Sequence, residues 1–155
     1  MNRILDSLKQ ELTELEKARD VLAYSYDKCS TSGVRADLSN EELESFEALT
    51  SRFARLSDIL IQKIFRHFDS LDLEDHGTIR DRINRAEKKE IVESADEFVQ
   101  IRMLRNEIAH EYKSDTIYNI FEKVLESTPA LLAAVDRVIT YSSRYVKLSA
   151  NIENL

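Results

Sequence analysis

Leu5, Leu8, Leu12, Leu15, Leu22 and Tyr26 recur at steps of three, four and seven. That is the spacing of one face of an α-helix, and it predicts a first helix from about residue 2 to 28. Residues 29–38, CSTSGVRADL, interrupt the period with small and polar side chains and a glycine, which predicts a break. SNEE at 39–42 follows as a capping box, with Ser39 as cap and Glu42 three residues on. Leu43, Phe46, Phe53, Leu56, Leu60, Ile64 and Phe68 carry a second long helix to about residue 70. After an acidic loop and Gly77, Thr78 with Asp81 opens a third helix along Ile79, Ile83 and Ala86. Ser94 and Glu97 form another capping box, so a fourth helix restarts there, with Phe98, Ile101, Leu104 and Ile108 on its buried side. One kinked rod over 78–112 is the alternative. A fifth helix is expected from about Asp115 to Glu126. Thr128–Pro129, a cap followed by a first-turn proline, predicts a sixth helix running to about residue 148.

These stripes predict an all-α protein, an antiparallel bundle of about five to six helices forming a single domain over residues 1–155. Composition agrees: two glycines and one proline in 155 residues are too few turn formers for a β-rich fold. With 43% hydrophobic and 33% charged residues the chain belongs with globular proteins rather than disordered ones. The leucine seam of the first helix is expected to face the core, with a subunit interface as the alternative. No apolar run approaches the ~20 residues that span a bilayer, and the charged N-terminal stretch is unlike a secretion signal. Cys29 is the sole cysteine, so no internal disulfide can form and a cytoplasmic location is expected.

Twenty-two basic and 29 acidic residues leave a net charge of −7, unfavourable for coating nucleic acid non-specifically. The charge is unevenly spread. Residues 78–113 hold eight basic and eight acidic side chains, so the whole excess lies in the flanks. A small anion or a short RNA stretch is tolerable in the neutral segment, and the acidic remainder suits a basic protein partner.

The chain contains no glycine-rich phosphate loop and no HExxH, CxxC or GxSxG. His67 lies on the apolar stripe of the second helix, as a packing residue, and His76 lies in a loop. Neither has a second ligand at metal spacing, so no metal and no cofactor are expected. What remains is RNEIAHEY at 105–112. On a helical wheel Ile101, Leu104 and Ile108 share the core face. Asn106 and His110 share a face nearly opposite, and Arg105 with Tyr112 lies at the core margin. Arg105 and His110 therefore diverge by about 140° on an ideal helix. For both to act on one phosphate, the helix must unwind near His110 or a second copy must face this surface, which predicts a two-fold dimer. The residue types suit metal-free cleavage of RNA. A histidine exchanges protons with the 2′-hydroxyl or the leaving 5′-oxygen, and an arginine fork holds phosphate oxygens as charge builds. Asn106 is placed to hydrogen-bond either. The competing reading is an ordinary solvated helix end, where cations favour the C-terminal dipole and Tyr112 packs at the core edge.

The same residues resemble the signature of HEPN-domain ribonucleases, an arginine, a polar residue, a short spacer and a histidine, matched by Arg105, Asn106 and His110. The further His110-Glu111-Tyr112 is similar to the HepT toxins, a HEPN branch paired with a minimal nucleotidyltransferase antitoxin, MntA. The detailed likeness covers about a dozen residues. It implies a homodimer with the motif at a shared cleft, and a metal-independent endoribonuclease toxic through cleavage of cellular RNA. Arg105 and His110 would be the catalytic pair with Asn106 assisting, and Arg102 and Lys113 would hold the substrate. Tyr112 would accept AMP from an MntA-like nucleotidyltransferase, placing phosphate beside Arg105 and repelling RNA. Some relatives have lost catalysis and serve as substrate-binding subunits of nucleotidyltransferases, which is the alternative the resemblance carries. A helical adaptor without a ligand is the third.

Overall fold

A computed structural model describes residues 2–110 and 117–153. Its elements are helices: α1 (Asn2–Ser32), α2 (Asn40–Asp58), a π-helical segment (Ile59–Ile64), α3 (Phe65–Leu71), α4 (Ile79–Lys88), α5 (Ala95–His110) and α6 (Ile117–Glu153). The fold is an all-α bundle. α1 and α2 pack along one another as a helical hairpin, α6 packs against both, and α2, the π segment and α3 form one rod, with α5 packed on its α2 part and α4 on the π segment and α3.

α1 runs further than its polar end suggests. Leu8, Leu15, Leu22 and Cys29 stand seven apart and are all essentially without solvent exposure, so the seam faces the core of its own chain. Cys29 is its fourth member, and the helix continues past it to Ser32. Gly33 ends it at φ +68°, donating its N–H to the Cys29 carbonyl at 2.8 Å, the left-handed stop for which glycine is suited. The expected break at 29–38 is therefore confined to residues 33–39. Ser39 and Glu42 then make the reciprocal capping box, and Thr78 and Asp81 make another at the start of α4.

The chain between Thr78 and His110 is two helices, not one kinked rod. Glu90 takes a left-handed φ of 60°, Ile91 closes α4 by donating to the Ala86 carbonyl at 2.9 Å, and Ile91 and Val92 are buried. Ser94 caps α5 by accepting from the Glu97 N–H, and the Glu87 carboxylate accepts from the Ala95 N–H at 2.6 Å.

Pro129 corrects another expectation. It starts no helix and lies within α6. The buried positions Phe121, Val124, Thr128, Leu131, Val135 and Val138 continue in steps of three and four straight through it. Each buried apolar side chain contributes about 1.5–3 kcal/mol, which together outweighs the ~3 kcal/mol that an interior proline costs. Thr128 turns its hydroxyl back to the Val124 carbonyl at 2.6 Å instead of capping. The expected start of the preceding helix at Asp115 lies outside the described residues.

A polar clamp fastens the far end of the rod. Asp69, 3% exposed, receives a two-pronged bond from Arg85 at 3.1 and 2.8 Å and lies 3.5 Å from Lys89 Nζ and 3.7 Å from Arg82 Nε. Lys89 also pairs with Asp72 at 2.7 Å, and Asp72 accepts from the hydroxyls of Tyr141 and Tyr145 on α6. Burial pushes the Asp72 carboxyl up, but the donors from Lys89, Tyr145 and Tyr141 outweigh it and hold the group below its ordinary range. Burial likewise pushes Lys89 down, and Asp72 more than restores it.

Pro129 is exposed, so Pro129→Ala opens no cavity. It is expected to raise unfolding stability by roughly 1–3 kcal/mol in a urea titration. Asp69→Ala leaves a buried cation cluster without its acceptor and is expected to cost roughly 3–5 kcal/mol in the same titration. A lowered folded carboxyl stabilises above its unfolded value and loses that contribution as pH falls. The Asp72 contribution is thus complete well above 3.8 and is lost below it, giving a wild-type unfolding midpoint that declines steeply in acid.

Candidate active site

The π segment decides what faces α5. Leu56, Leu60, Ile64 and Phe68 are all buried and are spaced uniformly by four. On an α-helix a four-residue step overshoots a turn by about 40°, so three steps would carry the stripe about 120° off its face. A wider π turn takes up the surplus, and the Phe65 N–H bonds the Leu60 carbonyl, five residues back. Arg82 donates to the Ile61 carbonyl within this segment at 3.1 Å. The adjustment keeps the apolar side chains inward and sets Asp58, Gln62 and Lys63 opposite α5.

Between the two lies a cleft of about 390 Å³ lined by Ser57, Asp58, Ile61, Gln62, Lys63, Arg102, Arg105 and Asn106. Three of the residues singled out in the sequence meet here. Arg105 sits at the margin of the core, and its Nε and Nη2 donate to the two oxygens of Asp58 at 2.7 and 2.9 Å. The Asp58 carboxylate raises the guanidinium further above its ordinary value against the opposing effect of burial. Among the described residues Arg102 has no hydrogen-bond or ion-pair partner, and Asn106 is exposed. Lys63 reaches Glu11 and Glu14 of α1 only loosely, at 3.7 and 3.8 Å. The cleft thus gathers three cationic side chains and one carboxylate on a chain of net charge −7.

Ile101 and Leu104 are buried, while Asn106 and His110 are exposed, as the wheel predicts. His110, the last described residue of α5, does not line the cleft. Tyr112 and Lys113 lie outside the described residues. His67 is half-buried, with burial pushing its imidazole down and leaving Nδ1 without a hydrogen-bond partner. Among the described residues no group of three or more His, Cys, Asp or Glu side chains is placed to hold a metal ion. No helix of theirs is long and apolar enough to cross a membrane.

No protein-family model matches this chain, and no curated protein matches it. Function therefore has to be argued from the site. Its far wall, Asp58, Gln62 and Lys63, was not singled out in the sequence, although a signal is present. In LSDILIQKIF, residues 56–65, the polar pairs Ser57-Asp58 and Gln62-Lys63 interrupt an apolar run, with Asp58 and Gln62 four apart.

The cleft can receive an anion. With its cations half-exposed, each contact with a phosphate oxygen would resemble a surface charge-assisted bond, stronger than a neutral one and weakened by salt. Arg102→Ala and Lys63→Ala are each expected to weaken binding of a single-stranded oligonucleotide several-fold at 50 mM salt, and by less at 200 mM. Fluorescence anisotropy at the two salt concentrations checks this.

Proposed function

We propose that this protein is a metal-independent endoribonuclease of the HEPN type, a HepT-like toxin acting as a homodimer. The observation that carries the reading is the meeting of Arg102, Arg105 and Asn106 in one cationic cleft, on the helix whose last turn bears His110. In this reading the guanidinium of Arg105 holds a phosphodiester oxygen. His110 removes the 2′-hydroxyl proton as the 2′-oxygen attacks phosphorus. The bond to the 5′-oxygen breaks, leaving a 2′,3′-cyclic phosphate, and the departing oxygen takes a proton from the second histidine of the dimer. Arg105 and His110 point apart along α5, so a facing copy supplies the missing half of the site.

Regulation follows the same electrostatics. An MntA-like nucleotidyltransferase antitoxin transfers AMP from ATP to the Tyr112 oxygen with release of pyrophosphate, and the new phosphate competes with RNA for Arg105. A second reading has a specific observation in its favour. The Arg105 fork is already engaged by Asp58 and His110 is outside the cleft, an arrangement compatible with a non-catalytic, substrate-binding subunit of such a nucleotidyltransferase.

Controlled expression of wild type and His110→Ala in a bacterial host, with end-mapping of total RNA, separates the two. The ribonuclease arrests growth and leaves new 5′-hydroxyl ends, and the variant loses at least about 10²-fold of the cleavage rate while its helical content is unchanged. Absence of cutting by wild type overturns the catalytic reading and leaves the binding subunit.

A further inference from the structure

We propose that Asp58 is a positioning residue of the cleft, fixing the plane of the Arg105 guanidinium so that its remaining donors are presented to a phosphodiester of a single-stranded RNA. The proposal rests on the RNA-binding part of the reading above and is independent of whether the strand is cut.

A guanidinium carries five N–H donors in a rigid plane. Asp58 engages Arg105 side-on through Nε and Nη2, with both carboxylate oxygens in use at 2.7 and 2.9 Å. Two N–H groups on Nη1 and one on Nη2 are left, and their directions are set once the first two bonds lock the plane. Neither side chain is deeply buried, with Asp58 41% and Arg105 31% exposed, so the pair stands at the edge of the cleft and contributes little to folding. Asp58 is also the last residue of α2, a helix that packs on both α1 and α5, immediately before the π turn. A flexible arginine at the rim of an open cleft would otherwise lose rotamer freedom each time it met a ligand, a cost this carboxylate meets in advance. Nor does Asp58 cancel the site. Arg102 remains beside the pair, as does Lys63, which is held only loosely by Glu11 and Glu14 at 3.7 and 3.8 Å.

The sign of the effect makes the idea testable. On charge alone, removing a carboxylate beside a polyanion tightens binding, whereas loss of a positioning residue weakens it. The probe is a 2′-O-methylated single-stranded oligoribonucleotide, which has no 2′-hydroxyl to attack, followed by fluorescence anisotropy with the full chain. Asp58→Asn is expected to weaken binding roughly tenfold, about as much as Arg105→Ala, with the double variant no weaker than Arg105→Ala alone. Asp58→Glu, which keeps the charge but displaces the fork, is expected to fall between wild type and Asp58→Asn, and it carries the test should Asp58→Asn fail to fold by circular dichroism. Binding by either Asp58 variant that equals or exceeds wild type overturns the proposal, as does a wild type that does not bind the probe. Cleavage of an unmodified strand is scored in parallel. Cutting that is indifferent to Asp58 sinks this inference alone, while Asp58-dependent binding without cutting sinks the ribonuclease alone.

Discussion

The rod from Asn40 to Leu71 is the element on which the other helices are hung, and its one-turn change to π geometry is the constraint that makes this possible. The rod touches α1, α4, α5 and α6 along its length. Its buried side chains must therefore stay in phase over more than thirty residues, although their uniform four-residue spacing from Leu56 to Phe68 is out of step with an α-helix. A wide turn restores the phase at the cost of weaker backbone bonding, and Arg82 supplies a donor to the Ile61 carbonyl where that bonding is loosened. The same turn directs Asp58, Gln62 and Lys63 toward α5. Core packing and the far wall of the cleft thus have one cause, so a substitution that straightened the rod would disturb both.

Electrostatics sorts itself by depth. At the α3–α4–α6 corner, Asp69 and Asp72 are enclosed with Arg85, Lys89, Tyr141 and Tyr145. There charges have little water to compensate them, and each must be matched by a fixed partner. In the cleft the ions are half-exposed, and the balance among Lys63, Arg102, Arg105 and Asp58 is left uneven. An overall charge of −7 does not erase that local excess, since screening limits exposed charges to about 10 Å at ordinary ionic strength. It does discourage wide phosphate tracking.

Periodicity and local capping were legible in the sequence because both are short-range. The Ser39 and Thr78 boxes and the stripes of α2 and α5 required only neighbours within a few residues. Cys29 misled through its polar neighbours, although it is the next member of a seven-residue seam. Pro129 misled because a local helix-start pattern competes with a continuous buried face, and tertiary burial won. The site was half legible for the same reason. Arg102, Arg105 and Asn106 share one helix, but Asp58 lies 47 residues away and meets Arg105 only through packing. No local rule assigns that pair.

The exposed side of α5 bears directly on whether one chain holds a whole site. Met103, 51% exposed, adjoins an outward row of Asn106 and His110, of which Asn106 lines the cleft and His110 does not. Within one chain, then, the histidine and the arginine address different regions of solvent. A two-fold contact through this face would repeat the row against itself, cover Met103, and bring the two His110 side chains together. On the proposed reading the dimer is more than an assembly state. With α5 helical to His110, a facing copy would let a proton-transfer group and an anion-holding group reach one phosphate, so on this reading catalysis and association should be lost together when that face is disrupted.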